Sequence, residues 1–167
     1  KRVVYFLANG KEKDENPYYE HLYRVGLDGS GLQQVTPGDY FHTVSMDDNA
    51  AFVVNNYSRV NTIPRTDLMD SNGRKLMTLE ESDFSGLLAA GYQFPEPFKV
   101  KAADGVTDLY GVMYKPFNFD STALYPIIDY VYPGPQVEAT VYPFSRMSVR
   151  TDRLAPGRTS EPFEMVS

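Results

Sequence analysis

Short runs of strand-forming residues, cut at close intervals by Asp, Asn, Ser and Gly, constrain this chain more than any other feature. The strings LYRVGLDGSGLQQVT (22–36) and RTDLMDSNGRKLMTL (65–79) follow one plan. In each, a half-apolar run meets a turn carrying Asp and Gly, and a second run leads back. A tight hairpin needs positive φ at the turn, and Gly adopts it without steric cost. Each string therefore predicts a β-hairpin.

Around these two hairpins the pattern predicts further strands. Residues 3–8, 21–27 and 32–35 form a first group, with a polar connection over 9–20. Residues 41–45, 51–55, 63–70 and 74–79 form a second, with Asp47, Asp48 and Asn49 at one turn and Ser71, Asn72 and Gly73 at another. Aromatic residues make up 14% of the chain, with 13 Tyr, 10 Phe and no Trp, which favours a pleated surface over a helix. A four-stranded unit that repeats is the sequence mark of propeller blades. Two units taken alone fit a meandering sheet equally well.

The character changes near residue 83. Phe84, Leu87, Leu88, Ala89 and Ala90 suit a short helix, with Ser82 or Asp83 as its cap and Gly91 as its end. The string QFPEPF follows. Pro95 and Pro97 cannot donate ladder hydrogen bonds, so this stretch reads as an extended linker at a domain boundary. Beyond it, 96–102 and 109–114 read as a hairpin turned at Asp104 and Gly105. The compact run PIIDYV (126–131) reads as a strand buried on both faces.

Several function classes are excluded or weakened. Net charge is −6, against the clustered Lys and Arg that nucleic-acid binding requires. The chain has no Cys, which excludes disulfides, thiolate metal sites and cysteine nucleophiles. No run approaches the roughly 18–20 apolar residues of a membrane-spanning helix. No cofactor motif occurs. The nucleophile motif G-x-S-x-G is absent; the nearest string, Asp28 to Gly31, has Asp in place of the first Gly and sits at a hairpin turn. His21 and His42 are the only histidines, and both read as structural or surface residues. Glu80 and Glu81 read as solvated charges. Asp47 and Asp48 read as a turn with no third metal ligand. Asn56-Tyr57-Ser58 matches the N-glycosylation pattern, which needs a eukaryotic secretory context to act.

The segment VKAADGVTDLYGVMYKPFNFDSTALYPIIDYVYPGPQ (100–136) is similar to the start of the hydrolase domain in the prolyl oligopeptidase family. The matching pieces are Asp104, Gly105, Leu109, Tyr110, Gly111, Tyr114, Lys115 and Pro116, then Tyr125 and Pro126, then Tyr132, Pro133, Gly134 and Pro135. Upstream, LYRVGLDGSGLQQVTPGDYFHTVSMDDNAAFVVNNYS resembles the last propeller blades of the dipeptidyl peptidase IV branch. Two different motifs stand in the right order across one boundary.

The resemblance implies a mainly β chain: the last blades of a β-propeller over 1–82, a linker with a short helix over 83–97, and the first strands of an incomplete α/β-hydrolase domain over 98–155. It implies a parent serine peptidase that removes dipeptides, often X-Pro, from peptide N-termini. Tyr132 then corresponds to the family's oxyanion-hole side chain, whose phenol O–H is aimed at the charge that develops in the tetrahedral intermediate. The Ser, Asp and His of the triad lie beyond this Tyr in the family, so the chain is expected to be an internal piece that is inactive alone.

Residues 156–167 are polar, carry Pro156 and Pro162, and depart from the family pattern; they read as a non-native tail. The resemblance also implies a peptide substrate for the parent and a periplasmic or otherwise extracytoplasmic setting. Open strand edges in such a piece predict a homo-oligomer. The alternative reading is a non-catalytic scaffold or binding protein made of propeller blades.

Overall fold

The computed structural model describes residues 2–129. They form nine strands and one short helix: β1 (Val3–Asn9), β2 (Glu20–Gly26), β3 (Gln33–Gln34), β4 (Phe41–Met46), β5 (Phe52–Ser58), β6 (Arg65–Asp70), β7 (Lys75–Glu81), α1 (Ser85–Ala89), β8 (Glu96–Lys101) and β9 (Asp108–Met113). The mainly β expectation holds. No helix among the described residues is long and apolar enough to cross a membrane. The chain divides into two compact units, the first ending at Phe84 and the second starting at Ser85.

Both sheets of the first unit are antiparallel meanders, with strand orders β1-β2-β3 and β4-β5-β6-β7. The second has the four strands expected of a propeller blade. The first has three among the described residues, short of the four-strand repeat. Its last strand shrinks to Gln33–Gln34. Gly31 enters it with φ +68° and Pro37 stops it, leaving little chain to pair. One further backbone bond, from Val35 N–H to the Leu22 carbonyl at 2.8 Å, extends the contact.

The two hairpin turns close as their sequences require. Gly29 (φ +77°) and Gly73 (φ +89°) take the left-handed positions. Asp28 accepts from the Ser30 amide at 3.0 Å, and Asp70 accepts from the Asn72 and Arg74 amides at 2.9 and 3.0 Å. β6 begins at Arg65 rather than Ile63, because Pro64 has no N–H to give to the ladder.

Alternation along the strands places the core between the two sheets. On β5, Val53 and Asn55 point inward while Phe52, Val54 and Asn56 point out. Leu22, Val35, Val53 and Met69 form the buried cluster, with Tyr5, Val44 and Met46 packed on it. Polar ties reinforce it at the β6–β7 turn: Gln33 Nε2 donates to the Asn72 carbonyl at 3.1 Å, Arg24 to the Asn72 side chain, and the Tyr5 hydroxyl to the Ser71 carbonyl at 3.3 Å.

The second unit holds α1, which Gly91 (φ +89°) terminates, and the β8–β9 ribbon. Pro97 lies within β8, opposite Val112. A two-stranded ribbon tolerates this, since one side of each strand has no ladder partner. The ribbon is amphipathic: Phe98, Val100, Leu109 and Met113 share one face, while Lys99 and Lys101 on the other pair with Asp108 at 3.3 and 2.6 Å. The strand expected over 126–131 is not seen in its described part. Pro126–Asp129 is irregular, with Ile127 and Ile128 93% and 85% exposed. A strand buried on both faces needs flanking strands, and none lies beside this run among the described residues.

Candidate functional site

A group of chemistry-bearing side chains in the first unit gathers where β2 and β4 pack together. His21 (β2) and His42 (β4) are both buried, and their rings meet at 4.8 Å between centroids. His21 Nε2 pairs with a Glu15 carboxylate oxygen at 2.9 Å. Its Nδ1 lies 2.9 Å from Gln34 Nε2 and 3.3 Å from both oxygens of Thr36. His42 Nδ1 lies 3.0 Å from Asn55 Oδ1. Burial drives the pKa of His42 down to about 4, and a charge on His21 would push the same way; Asn55 and the Gly38 backbone only partly oppose this. His42 is therefore neutral at pH 7.

Aromatic rings continue from this pair in both directions. Tyr23 stands edge-on to His21 at 6.3 Å and stacks on Phe6 at 5.7 Å. Tyr57 lies 5.6 Å from His42 and meets Tyr40 edge-on at 5.1 Å. The Arg59 guanidinium sits over the Tyr40 ring at 5.2 Å and pairs with Asp39 at 3.1 Å. Burial, then its donated bond to Glu12 at 2.8 Å, raises the pKa of the Tyr23 phenol.

Beside Tyr40 and Tyr57 opens a pocket of about 530 Å³, walled also by Ile63, Met69, Arg65, Asp67, Lys75 and Glu81. Its charges are matched. Asp67 takes the Tyr57 hydroxyl at 3.0 Å and pairs with Lys75 at 2.9 Å. Arg65 pairs with Glu81 at 2.6 Å. Burial alone would raise the Asp67 carboxyl, but bonds from Lys75, Thr78 and Tyr57 outweigh it and hold the pKa below the ordinary value. Tyr57 is raised, by burial first and by Asp67 second. A carboxylate and a phenol tied this way have no free proton to transfer.

Neither histidine has a serine and a carboxylate in triad order. The partner of His21 is Glu15 with Thr36 and Gln34, and the partner of His42 is an amide. Both are buried, which leaves the structural and not the surface half of the sequence reading. No cluster of three or more His, Cys, Asp or Glu among the described residues is arranged to hold a metal. Glu80 and Glu81 end β7 exposed, with Glu81 bound to Arg65. Asp28 to Gly31 is a hairpin turn, as read. Asp47 closes the β4–β5 turn by accepting from the Ala51 and Phe52 amides at 2.7 and 2.6 Å. Tyr132, the one sequence-predicted catalytic residue, lies outside the described residues, as does the tail 156–167.

Sequence reasoning missed the coupling of the two histidines. Each falls on an inward-facing strand position, but their meeting depends on how two sheets pack, which no local pattern encodes.

Residues 1–64 match the family described as the dipeptidyl peptidase IV (DPP IV) N-terminal region. Curated relatives extend the match. A probable dipeptidyl-aminopeptidase B of Emericella nidulans is 34% identical over 142 residues, which is 80% of this chain and 15% of the relative. A probable dipeptidyl-aminopeptidase B of Aspergillus oryzae is 31% identical over 141 residues, again 80% of this chain and 15% of the relative. A dipeptidyl-aminopeptidase B of Aspergillus niger is 29% identical over 153 residues, 87% of this chain and 16% of the relative. The chain thus spans about 15% of the length of such relatives. A β-meander unit whose sequence matches that N-terminal region, with the likeness running on beyond it, makes this chain a member of the dipeptidyl peptidase IV-like family.

Proposed function

We propose that the chain is part of a serine-type dipeptidyl peptidase whose full-length form releases N-terminal dipeptides from peptides. One observation carries this reading: the likeness to dipeptidyl-aminopeptidases B covers 80% of the chain at 34% identity and crosses from the first unit into the second. In this reading 1–82 contributes the last propeller blades, 83–97 the linker, and 98–155 the opening strands of the α/β-hydrolase domain. The β8–β9 ribbon is the first hairpin of that domain. Its exposed apolar face, with Phe98, Val100, Leu109 and Met113, awaits the rest of the sheet.

Tyr132 supplies one oxyanion donor. A phenol O–H held at the developing negative charge stabilises the transition state over the ground state by about 3 kcal/mol. The nucleophile, its general base and the orienting carboxylate are supplied by sequence outside this chain, which contains no G-x-S-x-G. The chain alone therefore binds no substrate productively and turns none over. Exposed edges on β1, β7, β8 and β9 leave backbone donors and acceptors ready to pair, and in isolation the chain associates with copies of itself.

The test is hydrolysis of a chromogenic X-Pro dipeptide substrate by the purified chain. No release above buffer is expected. Release that survives stringent purification and disappears in Tyr132→Phe overturns the proposal of an inactive piece.

A further inference from the structure

The two histidines are the only ones in the chain, and the fold spends both on a single contact between its first two sheets. His21 is 2% exposed and His42 is fully buried. The groups around them are unequal. Facing His21 are the Glu15 carboxylate, Thr36, Gln34 and the Tyr23 ring, whose hydroxyl is bound to Glu12 and whose face is approached by the Lys11 ammonium at 5.9 Å. Facing His42 are Asn55, the Gly38 backbone, Tyr40, Tyr57 and His21 itself. Of the carboxylates on that side, Asp67 is bound to Tyr57 and held by Lys75, and Asp39 is held by Arg59, whose guanidinium lies over Tyr40.

A proton on His21 thus meets an anion. A proton on His42 meets an amide, the Gly38 backbone, two phenol rings and another imidazole, but no anion. With no anion against it, a charge on His42 is costly while the sheets stay packed. The apolar cluster of Leu22, Val35, Val53 and Met69 offers such a charge no partner.

We propose that the His21–His42 contact is an acid-sensitive latch, which holds sheets β1–β3 and β4–β7 together at neutral pH and releases them as the medium acidifies. The direction follows from linkage. In the separated state His42 titrates at its ordinary value of 6.5, whereas in the packed state it does so at about 4. Between these values the separated state binds the proton and the packed state does not, so stability falls as pH falls through 6.5 and the loss is complete below about 4. From pH 7 to pH 5 this one group raises the unfolding constant of the first unit by about twentyfold.

The experiment uses the full chain. Its two imidazole Hε1 signals, told apart by His21→Gln, are followed by NMR from pH 8 to pH 3.5, and urea unfolding is measured at pH 7 and pH 5 for the wild type and for His42→Gln. The latch predicts that His42 in the folded chain stays neutral to near pH 4. It also predicts that the wild type shows the twentyfold increment and His42→Gln lacks it. If His42→Gln does not fold, the NMR titration decides alone. A His42 signal titrating near 6.5 in the folded chain, or a Gln variant that keeps the whole acid increment, overturns the proposal.

Discussion

The backbone carbonyl of Val35 occupies the space where a side chain on Gly73 would begin. Val35 follows β3 in the first sheet, and Gly73 sits in the β6–β7 turn of the second. The turn glycine therefore does more than permit a positive φ: it lets the turn press against the neighbouring sheet.

Gly73→Ala should cost the first unit about 3 kcal/mol, combining left-handed backbone strain with a clash against backbone that cannot swing away. Gly29 is the control. Its φ is +77°, but open space surrounds it, so Gly29→Ala carries only the conformational penalty, about 1 kcal/mol. Urea unfolding of the two variants checks the difference. Equal losses would show that the Val35 contact contributes nothing.

Met69→Ala should destabilise the first unit by about 3 kcal/mol, since Met69 is 1% exposed at the centre of the core and its loss leaves a cavity. Leu76→Ala on the exposed strand β7 should cost under about 0.5 kcal/mol. Denaturant midpoints read both, and a large effect at Leu76 would mean that β7 is covered in solution.

Asp67→Asn removes the charge that Lys75 and Tyr57 share. A loss of about 1–2 kcal/mol is expected at pH 7, because Asp67 is buried while Lys75 is half exposed and the Asn amide keeps part of the bonding. The carboxyl is held below its ordinary value in the folded state. Its contribution is therefore complete above the unfolded value and is lost as pH falls through the folded one. Stability curves for wild type and variant should begin to converge as pH falls below the ordinary value of 3.8 and meet only below the lowered folded value. A gap unchanged down to pH 3 would assign the effect to packing.

Most of the strands among the described residues were legible in the sequence, and the reasons are local. The turn glycines Gly29 and Gly73, the alternation Val53/Val54/Asn55/Asn56, and Gly91 after α1 each act within a few residues, and each stands where the pattern put it. What was not legible depends on partners far along the chain. The run Pro126–Asp129 has the composition of a buried strand yet is exposed, because a central strand is made by its neighbours. The histidine pair joins residues 21 and 42 through the packing of two sheets. The pocket draws Tyr40, Asp67 and Glu81 from three separate segments, and no spacing rule links them.

The most direct test of the central claim is made in the full-length parent, by comparing steady-state hydrolysis of an X-Pro chromogenic substrate in wild type and in the variant carrying Tyr132→Phe. An oxyanion donor acts in the transition state and not on bound substrate, so kcat should fall by about 100-fold with KM nearly unchanged. A variant with full kcat, or a parent that releases no dipeptide at all, would contradict the account.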